Sequence, residues 1–365
     1  MKNNKSVYHN ILQMIGHTPL IKLNKSVRNF EGEYFAKYEA YNPGHSSKDR
    51  ISLYIIEKLE KTGILKSGST IIETTSGNTG FSLAMVSIIK GYECVLAVTS
   101  KSSTDKIDML RAMGATIYVC PANVSPQDPR SYYQVAKRLN NEIKDSIYIN
   151  QYFNDLNTEA HYMTTGQEIW EQSNRKITHL VACSGTGGTI SGCAKFLKEK
   201  NPKIKIIGVD AYGSVLKKFH ETKELDLNEI YPYRITGIGK NLIPSTTYFD
   251  LIDHFEKVTD EESAHRARKV TSSEGILVGY TTGAAMQALY QLNKKKYFNK
   301  KSRVVVIFPD HGSRYMSQIY NENWMENQGF MNSPVNHPQK IEYIDNTSEK
   351  KWKIYLIEYI KTKAL

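Results

Sequence analysis

Short apolar, β-branched runs alternate with stretches of helical periodicity along most of the 365-residue chain. Thr70–Glu73, Cys94–Val98, Thr116–Val119, Leu180–Cys183, Ile204–Val209 and Val304–Phe308 read as strands. Their apolar character is continuous rather than alternating, which predicts parallel strands buried on both faces. Between them, the spacing predicts helices over Asp49–Lys61, Asn78–Lys90, Asp105–Met113, Thr158–Gln172 and Gly283–Asn293. Strand–helix alternation of this kind implies an α/β fold with open, twisted, mostly parallel sheets and flanking helices.

The chain exceeds the ~250–300 residues at which single cores stop growing, so it is expected to divide. We expect a smaller α/β domain over 47–152 and a larger one built from 1–46 plus 153–328. Residues 329–365 form a C-terminal extension, marked at its start by Pro334, Pro338 and several Asn. Within it, Trp352–Ile360 has the pattern of one short helix.

Composition narrows the function classes. Apolar residues make up 40% and charged residues 23%, as in a soluble globular protein. No run of about 18 uncharged apolar residues exists, so no membrane span is expected. The basic start, Met1 to Lys5, lacks the apolar core of a secretory leader. Net charge is +11, with basic clusters at Lys294–Lys296, Lys300–Arg303 and Lys198–Lys205. These fall at predicted helix ends and loops, without a nucleic-acid-binding motif, and read as solvated surface. A weak attraction of anionic substrates follows from the same charge. Cys94, Cys120, Cys183 and Cys193 show neither metal spacing nor a disulfide framework. Free thiols in a reducing cytoplasm fit them, and no metal site is expected.

Three short segments carry the chemistry. The first is Asn42-Pro43-Gly44-His45-Ser46-Ser47-Lys48-Asp49-Arg50, where a Pro-Gly turn precedes Lys48 at the edge of a predicted helix. Thr75-Ser76-Gly77-Asn78-Thr79-Gly80 follows a strand and opens a helix, and is dense in the small donors that suit an amino-acid carboxylate. Helix capping alone also favours such residues. Ser184-Gly185-Thr186-Gly187-Gly188-Thr189 again joins a strand to a helix start, where backbone amides and the helix dipole attract a phosphate. It lacks the Lys of a nucleotide-binding P-loop and is not the dinucleotide fingerprint. A lysine able to form a Schiff base, a carboxylate loop and a phosphate cradle together suit pyridoxal 5′-phosphate. Gly279-Tyr280-Thr281-Thr282-Gly283 adds a hydroxyl at Thr281 that suits the pyridine nitrogen. A neutral partner there weakens the ring as an electron sink, which favours loss of a β-substituent over transamination.

These segments resemble the fold-type II pyridoxal-phosphate enzymes, and among them the cysteine synthase and cystathionine β-synthase group. The resemblance covers about residues 9 to 326. It runs from Ile15-Gly16-His17-Thr18-Pro19-Leu20 through the three segments to Gly237-Ile238-Gly239, Glu274-Gly275-Ile276-Leu277 and Pro309-Asp310. Arg50-Ile51-Ser52-Leu53, Ile71-Ile72-Glu73 and Asn150-Gln151-Tyr152 through His161-Tyr162 are most similar to cystathionine β-synthase catalytic cores. The resemblance implies a tryptophan synthase β-like fold and a homodimer. It implies Lys48 as the Schiff-base lysine and α-proton base, and Asn78 as ligand of the ring 3′-oxygen. Gly185, Thr186, Gly187, Gly188 and Thr189 would hold the phosphate, and Thr281 would face the ring nitrogen. Thr75, Ser76, Gly77, Thr79 and Gln151 would bind the substrate carboxylate, and Tyr152 would lie near the leaving group.

The departures are specific. No Cys precedes Cys94, so no heme segment is expected, and the roughly 35 residues after Gly329 are too few for a tandem regulatory module. No response to S-adenosylmethionine is expected for that reason. Lys240 follows Gly239 where animal cystathionine β-synthases have Tyr, which places it as a candidate substrate contact. The expected reaction is β-replacement on L-serine or an O-activated serine by a thiol. Two alternatives stand beside it: an amine nucleophile, as in diaminopropionate-forming relatives that Pro309–Tyr315 resembles, and a non-catalytic basic binding protein on the same scaffold.

Overall fold

The computed structural model describes residues 7–75, 77–100 and 102–330. Ser76 and the expected Trp352–Ile360 helix lie outside them. Among the described residues, ten strands form two sheets. The larger contains β1 (Leu20–Lys22), β2 (Glu33–Tyr38), β7 (His179–Cys183), β8 (Lys205–Ala211), β9 (His254–Val258) and β10 (Arg303–Phe308), in the order β1-β2-β10-β7-β8-β9. Every pairing is parallel except β1 with β2. The smaller holds β3 (Thr70–Thr75), β4 (Glu93–Thr99), β5 (Thr116–Cys120) and β6 (Ser146–Tyr148), all parallel, in the order β5-β4-β3-β6.

The helices are α1 (Lys48–Lys61), α2 (Asn78–Lys90), α3 (Thr104–Ala112), α4 (Tyr132–Glu142), α5 (Leu156–Met163) and α6 (Thr165–Gln172). They continue with α7 (Gly188–Lys200), α8 (Leu216–Thr222), α9 (Asp260–Glu274), α10 (Tyr280–Lys294) and α11 (Glu322–Asn327). Apolar side chains fill both faces of each sheet. Val181, Val304 and Val306 pack with Ala284, Ala288 and Leu289 of α10, while Leu180, Val305 and Ile307 pack with Ile190 and Ala194 of α7. In the smaller sheet, Ile71 and Leu96 meet Leu83 of α2, and Ile72 and Val95 meet Val135 and Leu139 of α4.

The six continuous apolar runs are strands, each within two residues of its expected ends. The expected Thr158–Gln172 helix is two helices, broken at Thr164, whose φ −126° and ψ −76° leave the helical range. The expected Gly283–Asn293 helix begins earlier, at Tyr280, with Gly279 as its N-cap. This puts Thr281 in the first turn of α10 rather than in a preceding loop. Strands β2 and β9 escape the apolar criterion because charged residues sit among their buried positions. Lys37 is fully buried and bonds Glu168 Oε2 at 2.6 Å and Gln172 Oε1 at 2.8 Å. Glu256 and Lys257 of β9 are likewise buried, Glu256 with Lys295 at 2.6 Å and Lys257 with Glu229.

Candidate active site

The carboxyl ends of β3, β7 and β10 open onto one cleft, as open parallel sheets place their ligands. It holds about 820 Å³ including its mouth, and Lys48, Asn78, Thr186, Thr281 and Asp310 are among its walls.

Lys48 is the first residue of α1, and its neighbours hold that end rigid. The Asp49 carboxylate accepts from Gly44 N at 2.6 Å and from the Ser82 hydroxyl. Arg50 bonds Glu39 Oε2 at 2.6 Å and Glu168 Oε1 at 2.7 Å. Backbone N–H of Ser47 donates to Pro309 O at 2.8 Å, tying the helix start to the end of β10. Among the described residues, the free end of Lys48 bonds Ser47 Oγ at 3.3 Å. Burial lowers its pKa, against the opposing charges of Asp310, Glu39 and Asp49. Desolvation thus favours the neutral amine that a nucleophile requires.

On the smaller-sheet side, Thr75 Oγ1 accepts from Gly77 N and Gly80 N, both at 3.0 Å. Thr79 Oγ1 donates to Gln151 Oε1 at 2.8 Å, and Gln151 Nε2 donates to Thr74 O at 2.9 Å. Beneath them the fully buried Glu73 accepts from Gln151 N at 3.0 Å and Thr74 N at 2.6 Å. Burial nevertheless pushes its carboxyl up to about 7. Thr79, Gln151 and Asn78 line the cleft, whereas Thr75 and Gly77 do not.

On the larger-sheet side, α7 starts at Gly188 with Gly187 as an N-cap that offers no side chain. The N-cap itself therefore occupies none of the first amides, which suits an anion. Gly187 has φ +90°, and a Cβ there would come within 1.9 Å of Thr247 Oγ1; at Gly188 one would meet Asn157 Oδ1 at 2.1 Å. These glycines let neighbouring protein approach the turn. Thr186 Oγ1 accepts from Asn157 Nδ2 at 3.0 Å and Gly188 N at 3.3 Å, which leaves its own proton to donate into the cleft. Gly185, Thr186, Gly187 and Thr189 line the cleft, and Gly188 does not.

At the mouth, Lys240 Nζ donates to Tyr152 OH at 3.0 Å, and both side chains line the cleft. Tyr133 packs edge-on against Tyr152 with centroids 5.9 Å apart.

Four residues escaped the sequence reading. His161 is fully buried between Thr165 Oγ1 (2.8 Å) and Thr189 Oγ1 (3.0 Å), and burial holds its pKa down at about 3, so it is neutral. Lys106 is buried beside Gly77, with Nζ 4.9 Å from the Tyr315 ring centroid, and burial brings its pKa down to about 8. Asp310 and Arg314 both contact Asn78. Asp310, Arg314 and His161 lie in segments that carried the resemblance but had no role assigned to them; Lys106 lies in a segment without a chemical pattern.

An amine at one wall, a glycine-capped helix start with threonine hydroxyls opposite, and an amide and a hydroxyl at Asn78 and Thr281 fit pyridoxal phosphate. The chain belongs to the family described as pyridoxal-phosphate dependent enzymes, whose model matches residues 11–310. Among individual proteins, it is 43% identical to cystathionine beta-synthase of Oryctolagus cuniculus over 323 residues, covering 88% of this chain and 58% of that protein. The Saccharomyces cerevisiae cystathionine beta-synthase is 38% identical over 336 residues, covering 90% of this chain and 66% of the yeast protein. The chain thus spans little more than half the length of the animal relatives. An O-acetylserine dependent cystathionine beta-synthase from Helicobacter pylori superposes with a TM-score of 0.78 at 36% identity, covering 86% of this chain and 99% of the other. A hydrogen sulfide-producing enzyme from Fusobacterium nucleatum gives 0.77 at 33% identity, covering 85% and 100%.

Proposed function

We propose that this protein carries out β-replacement on L-serine or an O-activated serine, with a thiol as the incoming group. The observation that carries the reading is the convergence of Lys48, Asn78, Thr281 and the open α7 start on one cleft that also presents Thr79, Gln151 and Lys240. Similarity to cystathionine beta-synthases, one of them O-acetylserine dependent, supports the reaction class.

When bound, the cofactor supplies the electron sink that makes the substrate α-proton acidic and lets the β-substituent leave. The residues of this chain do the rest. Lys48 Nζ anchors the cofactor, takes the proton from the substrate α-carbon and returns one to the product. The α7 start and the hydroxyls of Thr186 and Thr189 bind the phosphate. Asn78 donates to the ring 3′-oxygen, and Thr281 faces the ring nitrogen. Thr79 and Gln151 receive the amino-acid carboxylate, with Thr75, Ser76 and Gly77 of the same segment. Tyr152 stands by the departing group. Lys240 Nζ, bonded to the Tyr152 phenol, can meet an anionic group on a substrate, and the carboxylate of a homocysteine-like thiol satisfies it.

The test is a substrate matrix of serine, O-acetylserine and O-phosphoserine against homocysteine, sulfide and small amines, with products identified by mass. Thioether formation is expected. Turnover with amines alone would replace the thiol reading by a diaminopropionate-type one, and no turnover with any pair would remove the enzyme reading. Lys240→Ala should lower kcat/KM about tenfold, or about 1.4 kcal/mol, for homocysteine and much less for sulfide. We further propose a 47–152 small domain around the four-stranded sheet and a homodimer, checked by mass in solution. A reducing cytoplasm is supported by the free state of all four cysteines.

A further inference from the structure

Asp310 is fully buried yet lines the cleft, and one carboxylate there serves residues from both sheets. Its Oδ2 accepts from Asn78 Nδ2 at 2.8 Å and from Tyr315 OH at 2.7 Å. Its Oδ1 accepts from Thr281 Oγ1 at 3.4 Å. The space for it is made by Gly279, the N-cap of α10, where any Cβ would lie 1.8 Å from Asp310 Oδ1. On the other side of Asn78, the Arg314 guanidinium donates to Oδ1 of the amide and to Gly44 O, and it lies over the Phe81 ring at 5.1 Å.

An asparagine amide is ambivalent: turned over, it offers an acceptor where it had offered a donor. Here the turned-over amide would set its NH₂ against a guanidinium and its oxygen against a carboxylate. Both ends thus enforce one orientation. One N–H of Asn78 goes to Asp310 and the other remains for the cleft. The Thr281 bond is long, so that hydroxyl is held loosely and can turn to a ligand.

We propose that Asp310 and Arg314 are a positioning pair that fixes the Asn78 amide as a donor toward the 3′-oxygen of the cofactor. The proposal rests on the assignment of Asn78 to that oxygen. Because Asn78 belongs to α2 and Asp310 follows β10, the same contact also holds the two walls of the cleft in register.

The bound cofactor reports on this directly, since its visible and near-ultraviolet bands arise from tautomers that differ in the proton of the 3′-oxygen. Four variants of the holoenzyme, Asn78→Ala, Asp310→Ala, Asp310→Asn and Arg314→Gln, are compared by band ratio across pH, with circular dichroism as a check of folding. Asp310→Ala should move the ratio about fivefold toward the Asn78→Ala value, the size expected for one oriented hydrogen bond. Asp310→Asn should restore most of it, because an amide oxygen at the Oδ2 position still accepts from Asn78. Arg314→Gln should shift the ratio in the same direction by less. A shift with Asn78→Ala but none with folded Asp310→Ala or Arg314→Gln overturns the proposal. No shift with Asn78→Ala removes the underlying assignment instead. Should Asp310→Ala not fold, the Arg314→Gln spectrum decides alone.

Discussion

The two turns that face each other across the cleft look alike in sequence and differ in what their amides do. Both join a parallel strand to a helix through small residues and glycine. In Thr75–Gly80, Thr75 Oγ1 absorbs the N–H groups of Gly77 and Gly80. Both helices open on a glycine N-cap that gives no side chain, but in Ser184–Thr189 the corresponding hydroxyl, Thr186 Oγ1, takes a single turn amide, Gly188 N, at the longer distance of 3.3 Å. A helix start that ties up fewer of its own amides leaves more of them for negative charge. The first turn lends the cleft the side chains of Asn78 and Thr79, and the second lends it Gly185 and Gly187 besides the Thr186 and Thr189 hydroxyls.

The largest effect that sharpens this contrast comes from the lysine both turns face. Lys48→Ala should abolish the visible absorption of bound cofactor and lower turnover by about 10³-fold or more, because anchor and proton carrier vanish together. A borohydride-reducible linkage persisting in that variant would show that another lysine serves. Next comes Gly187→Ala, which combines a left-handed backbone with a clash against Thr247. It should weaken cofactor binding at least tenfold and cost about 2–3 kcal/mol of stability, read by equilibrium dialysis and by denaturant titration.

The paired test of the comparison is milder. Thr186→Val should raise the cofactor Kd roughly fivefold, as one hydroxyl donor is lost, beside a folding cost from the acceptor that Asn157 Nδ2 and Gly188 N lose. Thr75→Val should instead cost about 1–2 kcal/mol of folding stability, with cofactor affinity nearly unchanged, because two internal amides lose their acceptor. If the two variants exchange these phenotypes, the contrast is wrong.

The smallest effect is a pH dependence under the first turn alone. Glu73 titrates in the folded state at about 7, and near 4.3 when unfolded. Between those values the folded chain retains a proton that the unfolded chain has released. The contribution of Glu73 is therefore whole below about pH 4 and is lost as pH rises through 7. The Tm of the wild type relative to that of Glu73→Gln should therefore fall across that window. Asp49 and Asp210, both pushed up to about 6 by burial, act in the same sense, while His161 and His179, held down at about 3 and about 4, act in the opposite one. An unchanged slope would place the Glu73 ionisation elsewhere.

The glycine-rich turns and apolar strands were legible in the sequence because each is a local pattern. Lys48 was legible because turn and helix edge lie next to it in the chain. What escaped was charge turned inward. Lys37 in β2 and Glu256 in β9 read as surface residues until Glu168 and Lys295, distant in sequence, are brought against them. Asp310 and Arg314 escaped for the same reason: their meaning depends on Asn78, more than two hundred residues earlier.

The order of strands in the larger sheet has a consequence for how the molecule is made. β2, whose chain leads into Lys48, and β7, which carries the open turn, do not touch; β10 lies between them, paired with both. A growing chain holds the whole smaller sheet by Tyr148, but it cannot join the two halves of the larger one until Arg303–Phe308 has left the ribosome. Until then β2 and β7 both keep an unpaired edge, the kind of surface that invites wrong partners. Synthesis paused before residue 303 should therefore leave a protease-resistant smaller sheet beside a digestible remainder. Resistance of the whole chain at that point would mean that the sheet closes in another order.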